Sequence, residues 1–287
     1  MAREFTTGIT EAVVDSFADT ADPRLRELLG SLTRHLHAFV RETRPTTGEW
    51  ESAMAFLTAT GRMCTDTRQE FILLSDVLGV STLVETLNGH GDPGATEPTV
   101  LGPFHVTRSP VRELGATIDL VGTAEPCVVS GRVLSRDGTP LPGAVLDVWQ
   151  ADGEGFYDVQ RPDVQPPGNG RGLFTADAEG RFRFRTCVPS PYPIPVDGPV
   201  GALLGATGRH PWRPAHIHFI VSAEGHAPVT THIFVAGGPY LDSDAVFAVK
   251  RSLVRDFAET DDPALAREFG VANPFRHARF DLVLEPA

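Results

Sequence analysis

At 287 residues the chain is long enough to bury a sizeable core in one large domain or two. Its 41% hydrophobic and 22% charged residues are ordinary for a globular protein, while a formal net charge of −12 and the lack of any Lys/Arg run exclude a nucleic-acid surface. Residues Met1–Thr10 lack a signal pattern and no apolar stretch approaches the roughly 20 residues of a membrane span, so no membrane insertion is expected. Three widely spaced cysteines, Cys64, Cys127 and Cys187, fit reduced thiols and predict a cytoplasmic protein.

The first predicted helix covers Asp22–Arg44. It begins with an Asp-Pro pair suited to the N-cap and first turn, and Pro45 ends it. One apolar stripe runs along it, made of Leu25, Leu28, Leu29, Leu32, Leu36, Phe39 and Val40.

Three more helices follow this one. The second runs from Thr47 to a glycine C-cap at Gly61, and the third and fourth cover Thr67–Leu78 and Ser81–Leu87, with a break at Gly79. The apolar stripes of these helices need a cover, either the rest of the chain or a second copy, so a homodimer through the N-terminal helices is expected.

The composition shifts to Gly, Pro, Thr and His over Gly89–Ser109, which is typical of a connector. We therefore place the domain boundary at its end. Residues 1–105 are predicted to form a helical dimerisation and linker domain, and residues 106–287 a β-rich catalytic domain.

After residue 116 the pattern changes to short alternating runs separated by turn dipeptides. Such spacing predicts a β-sandwich or barrel and not a βαβ sheet, so the fold class is α+β. One more helix is predicted at Ser243–Phe257. The predicted strands are Val128–Val133, Val145–Gln150, Phe182–Cys187, His216–Val221, Thr230–Val235 and a last one near Phe280–Leu284.

His216 and His218 lie two residues apart on a predicted strand. Side chains alternate faces along a strand, so both imidazoles point the same way and could share one metal ion. A second His-x-His pair, His35 and His37, lies on a predicted helix, where residues i and i+2 diverge and cannot share an ion. From the residues alone, His216 and His218 are either two ligands or two structural histidines, and Arg213 three residues before His216 is either a site residue or a partner in a surface salt bridge.

Two of the three tyrosines stand in rigid surroundings. Tyr157 follows a Gly-rich turn after a strand, and Tyr192 is enclosed by prolines in Pro189–Pro195, whose φ angles are largely fixed. Each alone fits a packed loop tyrosine. A phenol becomes a ligand only when the metal is acidic enough to hold phenolate, and Fe(III) suits this better than Zn(II).

Five segments together closely resemble the intradiol ring-cleavage dioxygenases, in particular the catechol and hydroxyquinol 1,2-dioxygenase branch. Three of them lie in the C-terminal part: DVWQADGEGFYD at 147–158, PYPIP at 191–195 and RPAHIHF at 213–219. The others are RQEFILLSDVLGVS at 68–81 and LGPF at 101–104. The resemblance spans nearly the whole chain.

The resemblance implies a helical dimerisation domain, with phospholipid held between subunits, followed by an antiparallel β-sandwich catalytic domain. It also implies one Fe(III) per subunit, bound by Tyr157, Tyr192, His216 and His218. The substrates would be an aromatic diol or triol and O2.

By the same resemblance, Arg213 stabilises developing negative charge beside the ring, and Tyr192 leaves the metal to take up a substrate proton. His232 stands where catechol enzymes usually have Gln, which favours hydroxyquinol and adds His232 to the catalytic residues. From the residues alone, Asp76 is either the acceptor of a hydrogen bond from the third hydroxyl of hydroxyquinol or a solvated residue on a helix face at the domain edge. The implied substrate-binding residues are Leu73, Asp76, Val100, Leu101, Gly102, Pro103, Phe104, Ile194, Pro195, Arg213 and Val246.

The predicted reaction is cleavage of hydroxyquinol to 3-hydroxy-cis,cis-muconate, the tautomer of maleylacetate. Catechol or a chlorocatechol is the alternative substrate. Two other hypotheses differ in kind: a transthyretin-like binding module, suggested by Pro140–Val145, and a zinc hydrolase using His216, His218 and His232, which would make both tyrosines incidental.

Overall fold

Five helices precede the first β-strand in the computed structural model, which describes residues 5–65, 68–89, 94–105, 109–122 and 124–287. Its residues fall into two compact units, Met1–Ala59 and Thr60–Ala287. The predicted class, helices followed by a β-sandwich, is confirmed. The boundary at 105/106 stays a prediction, and residues 90–93 and 106–108 of the predicted connector lie outside the described residues.

Three helices begin the chain: α1 (Phe5–Asp15), α2 (Pro23–Thr43) and α3 (Thr47–Met63). The prediction for α2 is confirmed to within one residue at each end, because the Asp22 side chain accepts the Arg24 N–H at the N-terminus as an N-cap should. Helix α1 was not predicted.

Gly61 does not end α3, so that prediction is wrong by two residues. The glycine keeps helical backbone, and the N–H of Cys64 donates to its carbonyl at 3.2 Å.

The predicted apolar stripe of α2 is largely open to solvent. Most of its side chains are about half exposed: Leu25, Leu28, Leu32, Leu36, Phe39 and Val40. His35 and His37 lie on this helix, as predicted, and His37 Nδ1 bonds the Thr10 hydroxyl at 2.9 Å. None of the described helices combines the length and apolar character that crossing a membrane requires.

The next two helices are α4 (Glu70–Val77) and α5 (Val80–Asn88). Gly79 separates them with φ +71°, so the predicted break is confirmed. The predicted start of the third helix, Thr67, lies outside the described residues.

Two five-stranded sheets form the body of the second unit. In strand numbers that follow the chain, the first contains β1 (Pro126–Ser135), β4 (Arg181–Cys187), β10 (Ala258–Thr260), β11 (Phe275–Arg279) and β12 (Leu282–Leu284). The second runs in the order β3 (Arg171–Thr175), β2 (Val145–Gln150), β7 (His216–Ser222), β8 (Val229–Val235) and β9 (Val254–Arg255). A separate pair joins β5 (Tyr192–Pro193) to β6 (Trp212–Arg213).

The sheets are mixed and not purely antiparallel. Strand β1 pairs antiparallel with β4 but parallel with β11 and β12, and β8 pairs parallel with β9. The other pairs in the sheet that carries β7 are antiparallel.

Aromatic side chains join the two sheets. Phe219 on β7 lies 6.3 Å, centroid to centroid, from each of three rings of the opposite layer, Phe182, Phe184 and Phe280. All four belong to one buried cluster, which is the core of the sandwich.

The helix predicted over Ser243–Phe257 is wrong. This segment is a turn and loop, followed by a 3₁₀ turn at Arg251–Leu253 and by β9. The Asp244 carboxylate accepts the N–H groups of Val246 and Ala248, which replaces the hydrogen bonds that a helix would supply. Two short helices were not predicted, α6 (Pro199–Ala206) and α7 (Pro263–Phe269).

Candidate metal centre and substrate site

Strand β7 presents His216 and His218 on one face, as predicted. Both rings are buried, and their Nε2 atoms lie 3.0 Å apart. His218 pairs across the sheet with Trp149 on β2 and with His232 on β8.

Tyr157 reaches the histidines from the turn after β2. The Asp152 carboxylate holds this turn by accepting the N–H groups of Glu154 and Phe156. Gly155 has φ +85°, and a Cβ there would lie 2.7 Å from the carbonyl oxygen of Pro191, so only glycine lets this turn approach the Tyr192 segment so closely.

Tyr192 belongs to the short strand β5, opposite Arg213 on β6. Its ring is 2% exposed. The proline-rich backbone and this cross-strand pair direct its hydroxyl to the two histidines.

Four donor atoms converge in the part of the chain that the structure describes. His218 Nε2 lies 3.1 Å from Tyr157 Oη, His216 Nε2 lies 3.5 Å from Tyr192 Oη, and the two phenol oxygens are 3.4 Å apart. Ligands bound tetrahedrally at about 2.0–2.2 Å from one ion lie about 3.3–3.6 Å from each other. These separations, with the 3.0 Å between the two Nε2 atoms, are close to those of a ligand set, so the residues fit a metal ion.

Hydrogen bonds on the far side of each imidazole select the tautomer that ligation needs. His216 Nδ1 lies 2.7 Å from the Pro214 carbonyl, which can only accept, so His216 carries its proton there and Nε2 presents a lone pair. His218 Nδ1 lies 2.6 Å from His232 Nε2, and His232 Nδ1 lies 2.8 Å from the Thr99 hydroxyl. With His218 also protonated at Nδ1, His232 Nε2 accepts a hydrogen bond from that N–H, and His232 donates through Nδ1 to the Thr99 hydroxyl.

His232 is therefore engaged with His218. The donor atoms of His216, His218 and His232 all lie within 4.8 Å of one another, and this buried group is compatible with a metal site. His232 Nε2, however, faces Nδ1 of His218 and not its Nε2. This geometry favours a ligand set with the tyrosines over the three-histidine zinc site.

All three imidazoles are kept neutral. Burial is the main cause that lowers the pKa of His216, His218 and His232 well below the usual range, and the charge of Arg213 acts in the same direction. Neighbouring imidazoles lower the pKa of His218 and His232 further. Neutral imidazoles have the free lone pairs that metal binding requires.

Burial likewise raises the pKa of the Tyr157 phenol well above its ordinary value, and the neighbouring Tyr192 adds to the effect. Two cations oppose this, Arg213 and Arg171. A metal cation at the four donors is the charge that would favour phenolate.

Arg213 is a fully buried cation beside these donors. Its Nη1 lies 3.3 Å from Tyr192 Oη and 3.2 Å from His216 Nε2. Burial disfavours its charge, but the attraction of Asp244 prevails and raises the pKa of the guanidinium. Asp244, which pairs with it through Nε at 3.2 Å, was missed by the sequence reasoning because it lies 31 residues away in a segment predicted as helix.

The predicted substrate-binding residues are brought together in part. Leu73, Val100, Ile194 and Val246 are buried in one apolar cluster, and Asp76 is 2% exposed. Burial raises the pKa of the Asp76 carboxyl, while a hydrogen bond from Ser81 and the charge of Arg213 lower it in opposition.

The segment with LGPF lies against the donors at two points. The Phe104 ring stacks on Tyr157 at 4.6 Å, and a Cβ on Gly102 would lie 3.2 Å from Cε1 of His218. Leu101 is 43% exposed, and Pro103 and Pro195 are half-buried.

Trp149 is a further neighbour that the sequence reasoning quoted without giving it a role. Its indole stacks on the His218 ring, with centroids 4.5 Å apart and planes 13° from parallel. The feature that identifies Trp149 as a neighbour of the site is its position opposite His218 in the pairing of β2 with β7, and this register is not visible in the sequence.

Comparisons with known proteins agree with this geometry. Residues 100–286 match the family model described as dioxygenase, and residues 22–96 match that of the catechol dioxygenase N terminus. A hydroxyquinol 1,2-dioxygenase of Rhizobium sp. (strain MTP-10005) is 52% identical, over 92% of this chain and 89% of the relative. A 6-chlorohydroxyquinol 1,2-dioxygenase of Cupriavidus pinatubonensis is 51% identical, over 93% of this chain and 96% of the relative. The solved hydroxyquinol 1,2-dioxygenase of Pseudomonas putida DLL-E4 superposes with a TM-score of 0.89 at 46% identity, covering 97% of this chain and 98% of that one.

Proposed function

Since the chain belongs to the intradiol ring-cleavage dioxygenases, we propose that it cleaves hydroxyquinol with O2 to 3-hydroxy-cis,cis-muconate. Both oxygen atoms enter the product, which is the tautomer of maleylacetate. The observation that carries the chemistry is the convergence of two phenol oxygens and two imidazole nitrogens.

In this proposal Tyr157, Tyr192, His216 and His218 hold one Fe(III). Two phenols are unusual ligands for zinc, which takes Cys, His and carboxylate, whereas ferric iron is acidic enough to hold phenolate. When bound, the ion would hold the adjacent substrate hydroxyls as oxyanions and make the ring reactive toward O2.

The remaining groups handle protons and charge. Tyr192 Oη accepts one substrate proton as a general base, and Arg213, 3.3 Å away, stabilises the negative charge that develops beside the ring. His232 holds His218 in its ligating orientation, so its contribution is through that ring. Trp149 and Phe104 pack against His218 and Tyr157 and limit their movement.

We assign substrate choice chiefly to Asp76 among the predicted substrate-binding residues. A buried carboxylate there can accept a hydrogen bond from the third hydroxyl, which catechol lacks. Relatives named for hydroxyquinol and 6-chlorohydroxyquinol, at 52% and 51% identity, support a triol. A catechol 1,2-dioxygenase of Candida albicans is less similar, at 40%.

We also propose a homodimer that associates through the half-exposed apolar stripe of α2 and holds phospholipid there. The stripe consists of half-exposed leucines, a phenylalanine and a valine along one helix. Exposing this apolar surface to water is unfavourable, so its burial against a partner is favoured. The three cysteines are free thiols, which supports a reducing cytoplasm.

The test combines metal analysis with oxygen uptake. We expect one iron per chain, a colour from phenolate-to-iron charge transfer, and a kcat/KM for hydroxyquinol at least about 10-fold above those for catechol and chlorocatechols, because one lost hydrogen bond to a charged group costs roughly 1.5–3 kcal/mol. Uptake without enzyme is subtracted for each diol, because triols oxidise spontaneously.

Two results would contradict the proposal. A colourless protein with stoichiometric zinc removes the iron chemistry, and equal kcat/KM values for triol and catechol remove the substrate assignment. Tyr157→Phe should abolish the colour, and Tyr240→Phe is the matched control outside the donor set.

A further inference from the structure

The partner of Arg213 is a buried carboxylate that the proposed reaction does not itself use. Asp244 is 4% exposed and Arg213 is 1% exposed. Nε of the guanidinium lies 3.2 Å from Oδ1, and Nη2 lies 3.5 Å from Oδ2. The two groups meet edge to edge, which restrains rotation of the guanidinium.

The same two oxygens also hold the backbone of the following loop. Oδ1 accepts the N–H of Val246 at 3.3 Å, and Oδ2 accepts the N–H of Ala248 at 3.1 Å. Between them Phe247 has φ +57°, a left-handed conformation that a non-glycine residue adopts only when its surroundings hold it. The loop is therefore wrapped around the carboxylate.

The guanidinium side of this arrangement ends at the donor atoms. With Nε and Nη2 held by Asp244, the remaining nitrogen Nη1 of Arg213 lies 3.3 Å from Tyr192 Oη and 3.2 Å from His216 Nε2. On the loop side, Val246, a predicted substrate-binding residue, is buried, and its carbonyl accepts a hydrogen bond from Thr82 on α5 at 3.0 Å.

We propose that Asp244 is a positioning residue whose one carboxylate aims Nη1 of Arg213 at Tyr192 and also fixes the loop that carries Val246, a predicted substrate-binding residue. Without it, Arg213 is a buried cation that has lost its ion-pair partner and can turn away from Tyr192. The predicted effect on the reaction rests on the proposed function, whereas the predicted orientation of the guanidinium does not depend on it.

The test compares Asp244→Asn with Asp242→Asn in the purified full-length protein. Asp242 is exposed in the same loop, so its variant makes the same change in net charge without touching Arg213. We expect Asp244→Asn to lower kcat about 10- to 100-fold, the range for losing a hydrogen bond to a charged group. Iron content should stay unchanged, and Asp242→Asn should match the wild type.

A double-mutant cycle separates positioning from a general structural role. If Asp244 acts through Arg213, adding Asp244→Asn to Arg213→Gln should change kcat less than about 3-fold. Equal losses of kcat in both backgrounds, or a wild-type kcat for Asp244→Asn, would overturn the proposal. Should Asp244→Asn fail to fold, Asp244→Glu keeps the charge but displaces the guanidinium, and it carries the same cycle.

Crystal structures of the wild type and the variant give a readout that does not depend on turnover. A shift of Nη1 by about 1 Å, enough to cost roughly 100-fold in rate, supports the proposal. An unmoved Nη1 and Val246 overturn it. If the wild type oxidises no diol, the proposed function fails, and these two structures alone decide the role of Asp244.

Discussion

Gly102 offers a sharp test of how closely the site is packed, through the change Gly102→Ala. Its φ of +77° is in the left-handed region, which costs an alanine roughly 1–2 kcal/mol of stability. Its added methyl would also lie 3.2 Å from Cε1 of His218, closer than ordinary van der Waals contact.

The His218 ring has little room to yield. Trp149 stacks on it at 4.5 Å, His232 Nε2 lies 2.6 Å from its Nδ1, and Tyr157 Oη lies 3.1 Å from its Nε2. A displacement of a few tenths of an ångström therefore falls on the donor set. We expect about 10-fold lower kcat for hydroxyquinol, since a full 1 Å misplacement costs roughly 100-fold.

Gly138→Ala is the matched control. Gly138 has φ +86°, and no atom lies within 4 Å of a Cβ built there, so the variant carries the backbone cost without the contact. Thermal unfolding should show a loss of stability for both variants, larger for Gly102→Ala, while only Gly102→Ala loses kcat and iron occupancy in oxygen uptake and metal analysis. A Gly102→Ala protein with full iron and wild-type kcat would refute the reasoning.

Three other changes have defined outcomes. Asp76→Asn should lower kcat/KM for hydroxyquinol about 10-fold, measured as oxygen uptake, because the amide is a weaker acceptor for the third hydroxyl. The kcat/KM for catechol, which has no third hydroxyl, should stay within about 3-fold of the wild-type value. Equal losses for both substrates would count against this role of Asp76. Thr99→Val removes the acceptor for His232 Nδ1 and so loosens the ring that holds His218. Iron retention during dialysis against a chelator should weaken by up to about 10-fold, and unchanged retention would contradict this. Burial, aided by the charge of Arg279, lowers the pKa of His277 from 6.5 to about 4. As pH drops, the unfolded chain therefore takes up the proton before the folded one does. The free energy of unfolding should fall by at most about 3 kcal/mol between pH 6.5 and pH 4. His277→Gln should flatten that dependence in urea titrations, and an unchanged slope would show that other groups cause it.

The parts of the site that could be predicted are those governed by local periodicity. His216 and His218 face one way because strand side chains alternate, and the prolines around Tyr192 restrict its backbone whatever the rest of the chain does. The break at Gly79 is local in the same sense, since its φ of +71° suits glycine.

What could not be predicted depends on contacts between distant segments. The apolar residues of Ser243–Phe257 recur at spacings that also fit a helix, but the Asp244 carboxylate binds the N–H groups of its own loop and the guanidinium of Arg213. Trp149 stacks on His218 only because β2 and β7 pair in one particular register. Neither pairing leaves a local pattern in the sequence.

The same distant contacts link substrate choice to charge stabilisation. The pKa of the Asp76 carboxyl is raised first by burial and also by the charge of Asp244, whereas Arg213 lowers it. Asp244 and Arg213 thus act on Asp76 in opposite directions while they bind each other, so a change at either one alters the acceptor proposed for the third hydroxyl. It follows that variants intended to retune substrate choice toward catechol should change Asp76 itself and keep the Arg213–Asp244 pair, because disturbing the pair would alter the proposed charge stabilisation and the proposed specificity together.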